Sequence, residues 1–179
     1  SLKSVPESVP IVIATTISTG LKRAICLRVD EDEAMRQIVN HLSSLGHKNI
    51  AYVGPNEGEV AAARYDGFVS AMASKGLEAS AQFCDRTEDA GYTAATLALQ
   101  DSGKPTALVC FNDIVALGVQ EAIRVFQDAG GHPIALTGFD NTYISALSRI
   151  SLTSIEQEKG AIAVRAAELL TGDPEEWKA

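Results

Sequence analysis

The sequence predicts an α/β protein built on parallel sheets, and three observations support this fold class. Short apolar runs rich in valine and isoleucine alternate with helical patterns of about 12 to 16 residues, which is typical of repeated strand–helix–strand units. The 179 residues are 46% hydrophobic and 21% charged, which is the composition of a globular chain. Neither internal repeats nor low-complexity segments interrupt the alternation.

The first predicted elements are two strands and a helix. Val9–Ala14 and Ala24–Val29 are the strands, and Asp30 with Glu33 three positions later forms a capping box that starts the helix. Apolar residues at helical spacing form one face of this helix, and Gly46 ends it. The residues predicted on that face are Met35, Ile38, Val39, Leu42 and Leu45.

Three strand–helix units are predicted next, with strands at Asn49–Gly54, Ser80–Asp85 and Thr106–Phe111. The first helix ends at Gly76, the second covers Ala90–Gln100, and the third begins with Asp113 as its cap and ends before Gly130. The residues predicted to point inward are Phe68, Val69 and Met72 in the first helix, Tyr92, Ala95, Thr96 and Leu99 in the second, and Val115, Val119, Ala122, Ile123 and Phe126 in the third.

The last predicted elements are two strands and a helix. Ile134–Phe139 and Leu152–Ile155 are the strands, and the helix runs from Glu158 to Thr171, with Gly172 as its stop. Its predicted inward residues are Ile162, Ala166, Leu169 and Leu170.

The order of these elements predicts two lobes. Residues 48–156 hold a whole doubly wound set, whereas two strands and one helix before them are too few for a self-standing sheet. We therefore assign residues 1–47 and 157–179 to a partial N-terminal lobe and residues 48–156 to the C-terminal lobe. Crossovers near Gly46–Asn49 and Thr153–Glu158 would allow a hinge motion.

Charge and cysteine content narrow the classes of function. A formal net charge of -8 argues against this segment wrapping phosphates itself, so any contact with DNA has to come from elsewhere. Cys26, Cys84 and Cys110 are odd in number and lie in apolar stretches, which indicates a reducing compartment. Because there is neither a membrane-span pattern nor a leader pattern, we expect a cytoplasmic chain without membrane contact.

Enzyme signatures are missing from the sequence. It has no phosphate-binding loop, no G-x-G-x-x-G after a strand, no nucleophile elbow and no Cys-x-x-Cys. His41, His47 and His132 are scattered, and none has a second ligand-type residue at metal spacing. We therefore predict no catalytic residue, no cofactor and no metal.

Polar residues follow two of the predicted strands at the edge where open α/β sheets bind ligands. Asn112 and Asp113 follow ALVCF, Asp140 and Asn141 follow IALTGF, and Arg64 lies near the start of the helix after NIAYVG. A bidentate donor, two amides and carboxylates suit the adjacent hydroxyls of a sugar or a ribose.

Each of these residues also has a structural interpretation. Asp113 can cap its helix, which is the main role we assign to it, Asn112 and Asn141 can be turn residues, and Arg64 can be a solvated helix charge. The ligand hypothesis is favoured because three elements deliver the residues to one edge. It predicts that Arg64→Ala weakens ligand binding at least about tenfold while leaving the fold intact.

Four blocks of the sequence resemble the LacI/GalR family of transcriptional repressors in order and spacing. They are LGHKNIAYVG at 45–54 with the Arg-x-x-Gly-Phe at 64–68, PTALVCFNDIVALGVQEAI at 105–123, LTGFDN at 136–141, and ISLTSI at 150–155. The resemblance covers nearly the whole chain but not the helix-turn-helix headpiece, the hinge or the opening strands of the first lobe.

This resemblance implies the type I periplasmic-binding-protein-like fold, with doubly wound parallel sheets in two lobes, the first incomplete in this chain. It implies a homodimer whose cleft binds a small effector, a sugar, polyol or nucleoside, and which binds operator DNA through the headpiece. By motif, Arg64, Asn112 and Asp140 correspond to effector-binding residues.

Two other functions stay open at this point. A transport binding protein of the same superfamily would share the polar residues, and an enzyme on a related sheet would need an acid, base or nucleophile that the sequence does not indicate. The regulator is the preferred hypothesis.

Overall fold

A computed structural model describes residues 5–6, 9–15, 24–100 and 104–172, and these residues form two parallel sheets. The strands are β1 (Ile11–Ala14), β2 (Ala24–Leu27), β3 (Ile50–Gly54), β4 (Ser80–Phe83), β5 (Ala107–Cys110), β6 (Ala135–Asp140) and β7 (Thr153–Glu156). The helices are α1 (Glu31–Ser44), α2 (Glu59–Ser74), α3 (Glu88–Gln100), α4 (Asp113–Asp128) and α5 (Lys159–Thr171). The predicted α/β class with parallel sheets is confirmed.

The larger sheet has the strand order β4-β3-β5-β6-β7, with every neighbouring pair parallel. Strands that run parallel need crossover connections. The crossover from β3 to β4 contains α2, that from β4 to β5 contains α3, and that from β5 to β6 contains α4. The order reverses between β3 and β5, because the chain first moves outward to β4 and then returns past β3. This reversal is the place where doubly wound sheets bind ligands.

Both faces of the larger sheet are covered by helices. Alternate strand residues such as Ala51, Val53, Leu108 and Cys110 pack against α3 and α4 in one apolar cluster. On the other face lie α1 and α2, which pack against each other. The fully buried side chains there include Tyr52, Phe68, Phe139, Met35, Ile50, Met72, Val39 and Val109.

The packing of α3 on α4 depends on two glycines. A Cβ at Gly118 would lie 1.9 Å from the carbonyl oxygen of Glu88, and one at Gly91 would lie 2.4 Å from the carbonyl oxygen of Val115. The two helix backbones therefore approach more closely than any side chain at these positions would allow.

The chain divides into two compact units, Ser1–Asp30 with Glu158–Ala179, and Glu31–Gln157. In the first unit α5 packs on β1, and residues 1–4, 7–8, 16–23 and 173–179 of the predicted N-terminal lobe lie outside the described residues. The division places α1 with the larger sheet, whereas the sequence-based boundary placed residues 31–47 with the other lobe. The assignment of these units to lobes stays a prediction.

Several side chains predicted to point inward are exposed instead. They are Leu45, Val69, Tyr92 and Leu170, which are 62%, 36%, 37% and 45% exposed. Leu45 follows the last residue of α1, and Val69 lies about 100° around α2 from the buried Phe68. The helical spacing identified which face of each helix is buried, but not how many residues that face includes.

Candidate functional site

The candidate site lies at the carboxyl end of the larger sheet, beside the reversal between β3 and β5. The helix after β3 covers one face of the sheet, and the helix after β5 covers the other. The connections therefore diverge and leave a crevice at the strand ends. The predicted residues all lie at or after the carboxyl ends of β3, β5 and β6. They are Arg64 in the second turn of α2, Asn112 and Asp113 at the start of α4, Asp140 at the end of β6, and Asn141 directly after it.

Arg64 is the buried centre of this edge. Its guanidinium donates from Nε to Glu31 Oε2 at 2.7 Å, from Nη2 to Glu31 Oε1 at 3.0 Å, and from Nη1 to the carbonyl oxygen of Phe111 at 2.5 Å. Its Cζ also lies 3.5 Å from the ring centroid of Phe139 and 4.6 Å from that of Phe111. The two aromatic residues that hold it immediately precede Asp140 and Asn112, so Arg64 joins the ends of β5 and β6.

The interpretation of Arg64 as a solvated helix charge is wrong, because the residue is only 3% exposed. Its partner Glu31 is 7% exposed and was not among the predicted site residues. The expectation that Arg64→Ala leaves the fold intact is also revised, because this variant leaves the buried Glu31 carboxylate without its counter-ion. A carboxylate at the start of a helix was the available sequence signal for Glu31, but nothing in the sequence linked it to Arg64.

Asn112, not Asp113, is the N-cap of α4. Its Oδ1 accepts a hydrogen bond from the backbone N–H of Val115 at 2.9 Å, and its backbone is extended, with φ at -154°. The assignment of Asp113 mainly to capping is therefore wrong. The side-chain nitrogen of Asn112 has no partner in the part of the chain that the structure describes, so two N–H donors stay available at the crevice.

Asp113 is fully buried and binds the loop after β6. Its Oδ2 accepts from the backbone N–H and the hydroxyl of Thr142 at 2.7 and 2.8 Å, and its Oδ1 accepts from Ser154 at 2.6 Å. A Cβ at Gly138 would lie 2.4 Å from Asp113 Oδ1, so glycine makes room for the carboxylate. Through these contacts Asp113 connects α4 to the loop after β6 and to β7.

Asp140 ends β6 in an uncommon conformation. Its φ is +103°, and the φ of the following Asn141 is +42°, in the left-handed region that few residues other than glycine adopt. The Asp140 carboxylate is half-buried and accepts a hydrogen bond from the side chain of Gln157, another residue that the sequence did not indicate. Asp140 directly follows Phe139, whose ring lies against the Arg64 guanidinium.

The side chain of Asn141 has partners at both ends. Its Nδ2 donates to Glu156 at 3.0 Å, its Oδ1 accepts from Ser145 at 2.9 Å, and its backbone N–H donates to Ser154 at 3.0 Å. Asn141 therefore organises the turn, as its structural interpretation predicted. Its side chain leaves fewer hydrogen-bonding groups for a ligand than that of Asn112 does.

The end of β3 is shaped to lie close to the end of β5. A Cβ at Gly54, where φ is +155°, would lie 2.3 Å from Phe111 Cβ. The buried Tyr52 donates its hydroxyl to the carbonyl oxygen of Pro55 at 3.2 Å. Burial raises the pKa of Tyr52 well above its usual range, so the hydroxyl stays protonated and keeps this donor role. Arg86 lies over the outer side of the Phe111 ring, 5.0 Å from its centroid.

The histidines and cysteines do not join this site. His47 contacts Thr106 Oγ1 at 3.0 Å, and His132 contacts the Pro105 carbonyl at 3.2 Å, which are structural roles. Burial raises the pKa of the Cys110 thiol well above its usual value, so this group is unreactive near neutral pH. Among the described residues, no three His, Cys, Asp or Glu side chains are grouped as metal ligands. Within the same residues no helix has both the length and the apolarity to span a bilayer.

Comparisons with known proteins agree with this architecture. A sequence profile for periplasmic binding protein-like domains matches residues 39–175. Catabolite control protein A of Priestia megaterium is 34% identical over 168 residues, which cover 88% of this chain and 49% of that protein. HTH-type transcriptional repressor PurR of Mannheimia succiniciproducens is 33% identical over 135 residues, which cover 73% of this chain and 40% of that protein.

A solved structure of a LacI transcriptional regulator from a Rhodococcus species superposes with a TM-score of 0.85 at 28% identity. The match covers 96% of this chain and 66% of that chain. The chain thus spans 49% and 40% of the lengths of the two curated relatives, about half or less.

Proposed function

Because this chain belongs to the family of periplasmic binding protein-like domains, in its LacI/GalR branch of transcriptional regulators, we propose that it is the effector-sensing part of a transcriptional repressor. A small hydroxylated ligand, a sugar, polyol or nucleoside, binds at the carboxyl edge of the larger sheet and changes the affinity of the whole protein for its operator. PurR of Mannheimia succiniciproducens and the Rhodococcus protein are a transcriptional repressor and a transcriptional regulator by name, which favours this function over transport.

The observation that carries the ligand proposal is the enclosure of Arg64 at the strand reversal. A guanidinium has five N–H groups, and three of them bind Glu31 and Phe111, which leaves one on each terminal nitrogen. Asn112 adds the donors of its amide, and Asp140 adds acceptor oxygens. Because each sugar hydroxyl both donates and accepts, this mixed set suits adjacent hydroxyls. We therefore propose Arg64, Asn112 and Asp140 as the binding residues.

The partners of the whole protein follow from the same proposal. Operator DNA is bound by a headpiece outside this segment, since a net charge of -8 does not favour phosphate contacts here. The regulator acts as a homodimer in the cytoplasm, where its operator is, and it senses its ligand without turning it over.

The test measures operator binding by the full-length protein, with fluorescence anisotropy and a panel of sugars, polyols and nucleosides. At least one ligand is expected to change the operator Kd, in either direction. Arg64→Lys keeps the charge but loses the planar fork, so it should abolish the response while operator binding without ligand persists. Arg124→Lys is the matched control, because Arg124 is 60% exposed on α4. A wild-type protein whose operator affinity no ligand alters would contradict the proposal.

A further inference from the structure

We infer that the effector of this site is electrically neutral, and that Glu31 is the residue that discriminates against phosphorylated or carboxylated ligands. The inference rests on the proposed function, because it concerns the ligand held by Arg64, Asn112 and Asp140.

The hydrogen bonding of Arg64, the one buried cation in the described part of the chain, disfavours an anionic ligand. An arginine binds a phosphate or a carboxylate most strongly through two parallel N–H groups. Glu31 already occupies Nε and Nη2 of Arg64 in that arrangement, with distances of 2.7 and 3.0 Å. An anionic ligand would be left with the remaining N–H groups of a guanidinium whose charge the Glu31 carboxylate already balances, whereas a neutral hydroxyl needs no net positive charge.

The buried charges at this edge of the sheet sum to a negative value. The buried charged side chains among the described residues are Arg64, Glu31 and Asp113, so one positive charge is set against two negative charges. The half-buried Asp140 adds a further negative charge at the same edge. Transfer of an anionic group into such a low-dielectric surrounding is unfavourable.

Charges farther out do not reverse this balance. Arg86, above the Phe111 ring, is exposed and donates to the Glu57 carbonyl at 3.4 Å, so water and salt screen its attraction for an anion. Glu156, which accepts from Asn141, adds another negative charge to the outer part of the site.

Helix N-termini lie at this edge, and in many α/β proteins their partial positive charges attract phosphates. The helices after β3, β4 and β5 begin here, and α1 begins at the Glu31 that contacts Arg64. Each has acidic residues in its first turn, and these are Glu31, Asp32 and Glu33 in α1, Glu59 in α2, Glu88 and Asp89 in α3, and Asp113 in α4. Carboxylates of the chain thus take the positions that favour ligand anions elsewhere.

The direct test is calorimetry on the full-length protein with matched pairs of ligands: ribose and ribose 5-phosphate, glucose and glucose 6-phosphate, and adenosine and adenosine 5′-monophosphate. A neutral member that binds is expected to bind at least about tenfold more tightly than its phosphate ester. Esters that bind as tightly as the neutral members, or more so, would overturn the inference and leave the effector-sensing function standing. If neither the neutral ligands nor their phosphate esters bind, the proposed sugar or nucleoside effector is itself wrong, and the inference fails with it.

The role of Glu31 is tested by Glu31→Gln, with Glu33→Gln as the matched control. Glu33 lies on the same helical turn and pairs with the exposed Arg36 instead of Arg64. Glu31→Gln should narrow the preference for the neutral ligand by about tenfold or more, and Glu33→Gln should leave it unchanged. Equal preferences in wild type and Glu31→Gln would remove Glu31 as the discriminating residue.

A measurement on the wild-type protein keeps the inference testable if Glu31→Gln does not fold. Inorganic phosphate stabilises folded proteins generally, so it is expected to raise the melting temperatures of wild type and Arg64→Lys equally. A larger rise in wild type than in Arg64→Lys would place an anion at Arg64 and overturn the inference.

Discussion

Two buried charged groups lie at the carboxyl edge of the larger sheet, and they are satisfied in opposite ways. Within the described part of the chain, Arg64 has Glu31 as its counter-ion, and two of its five N–H groups have no partner. Asp113 is fully buried, and the described residues that donate to it, Thr142 and Ser154, are neutral. A buried charge that keeps hydrogen-bonding groups to spare can therefore serve a ligand, whereas a fully enclosed one serves the fold.

The two groups also hold the same crevice from its two sides. Arg64 binds the carbonyl of Phe111, immediately before Asn112, and stacks on Phe139, immediately before Asp140. Asp113 follows Asn112 and binds Thr142, two residues after Asp140. The two ligand-binding candidates between these anchors are therefore fixed by both charges, which is the preorganisation that selective binding requires.

The largest change in stability is predicted for removing Arg64 from its ion pair with Glu31. Arg64→Leu should lower the free energy of unfolding by about 3–5 kcal/mol, because it leaves the Glu31 carboxylate buried without its counter-ion. The double variant Arg64→Leu with Glu31→Leu should recover most of this loss, since no unpaired charge stays buried. Urea unfolding followed by circular dichroism measures both values.

The control for this cycle is Arg124→Leu, which removes an exposed arginine that pairs with Glu121 and Asp128 on α4. We expect no measurable change in stability, because water already solvates these groups. If the single and double variants at Arg64 lose equal stability, the pairing with Glu31 is not what makes Arg64 important to the fold.

The next effect concerns the enclosed carboxylate. Asp113→Asn keeps the shape but places an NH₂ group against donors, so it should cost about 1–3 kcal/mol of stability. Effector affinity, measured by calorimetry well below the melting temperature, should change by less than about threefold, which is under 1 kcal/mol. Asp128→Asn, on the exposed end of the same helix, should change neither quantity. A large loss of affinity without loss of stability would instead make Asp113 a ligand-binding residue.

Much of the fold could be predicted because it depends on local patterns. Periodicity and glycine positions located the strands, and every helix end that was predicted, to within two or three residues, while the start of α2 at Glu59 was not predicted. The four sequence blocks predicted the family that the comparisons confirm. The carboxyl-edge rule also selected five residues without reference to the family resemblance, namely Arg64, Asn112, Asp113, Asp140 and Asn141. The resemblance then reduced this set to Arg64, Asn112 and Asp140. Whether these residues bind a ligand stays a prediction.

What could not be predicted depends on pairings between distant residues or on side-chain direction. Glu31 lies 33 positions from Arg64, and no periodicity links them. The roles of Asn112 and Asp113 were exchanged, because adjacent residues at a helix start differ only in where their side chains point, and either one is an accepted cap. The partners of Asp113 on the loop after β6 appear only once β7 is placed beside β6.

The smallest effect on stability is predicted for Asn112, which combines the two behaviours in one side chain. Its oxygen caps α4, and its amide nitrogen has no partner among the described residues. Asn112→Ser keeps a good cap but removes the amide, so stability should stay within about 0.5 kcal/mol while effector affinity falls by about tenfold. Asn112→Ala removes both functions and should also cost about 1 kcal/mol of stability. Calorimetry and urea unfolding on the two variants separate these losses, and an Asn112→Ser protein that binds its effector as the wild type does would restrict Asn112 to capping.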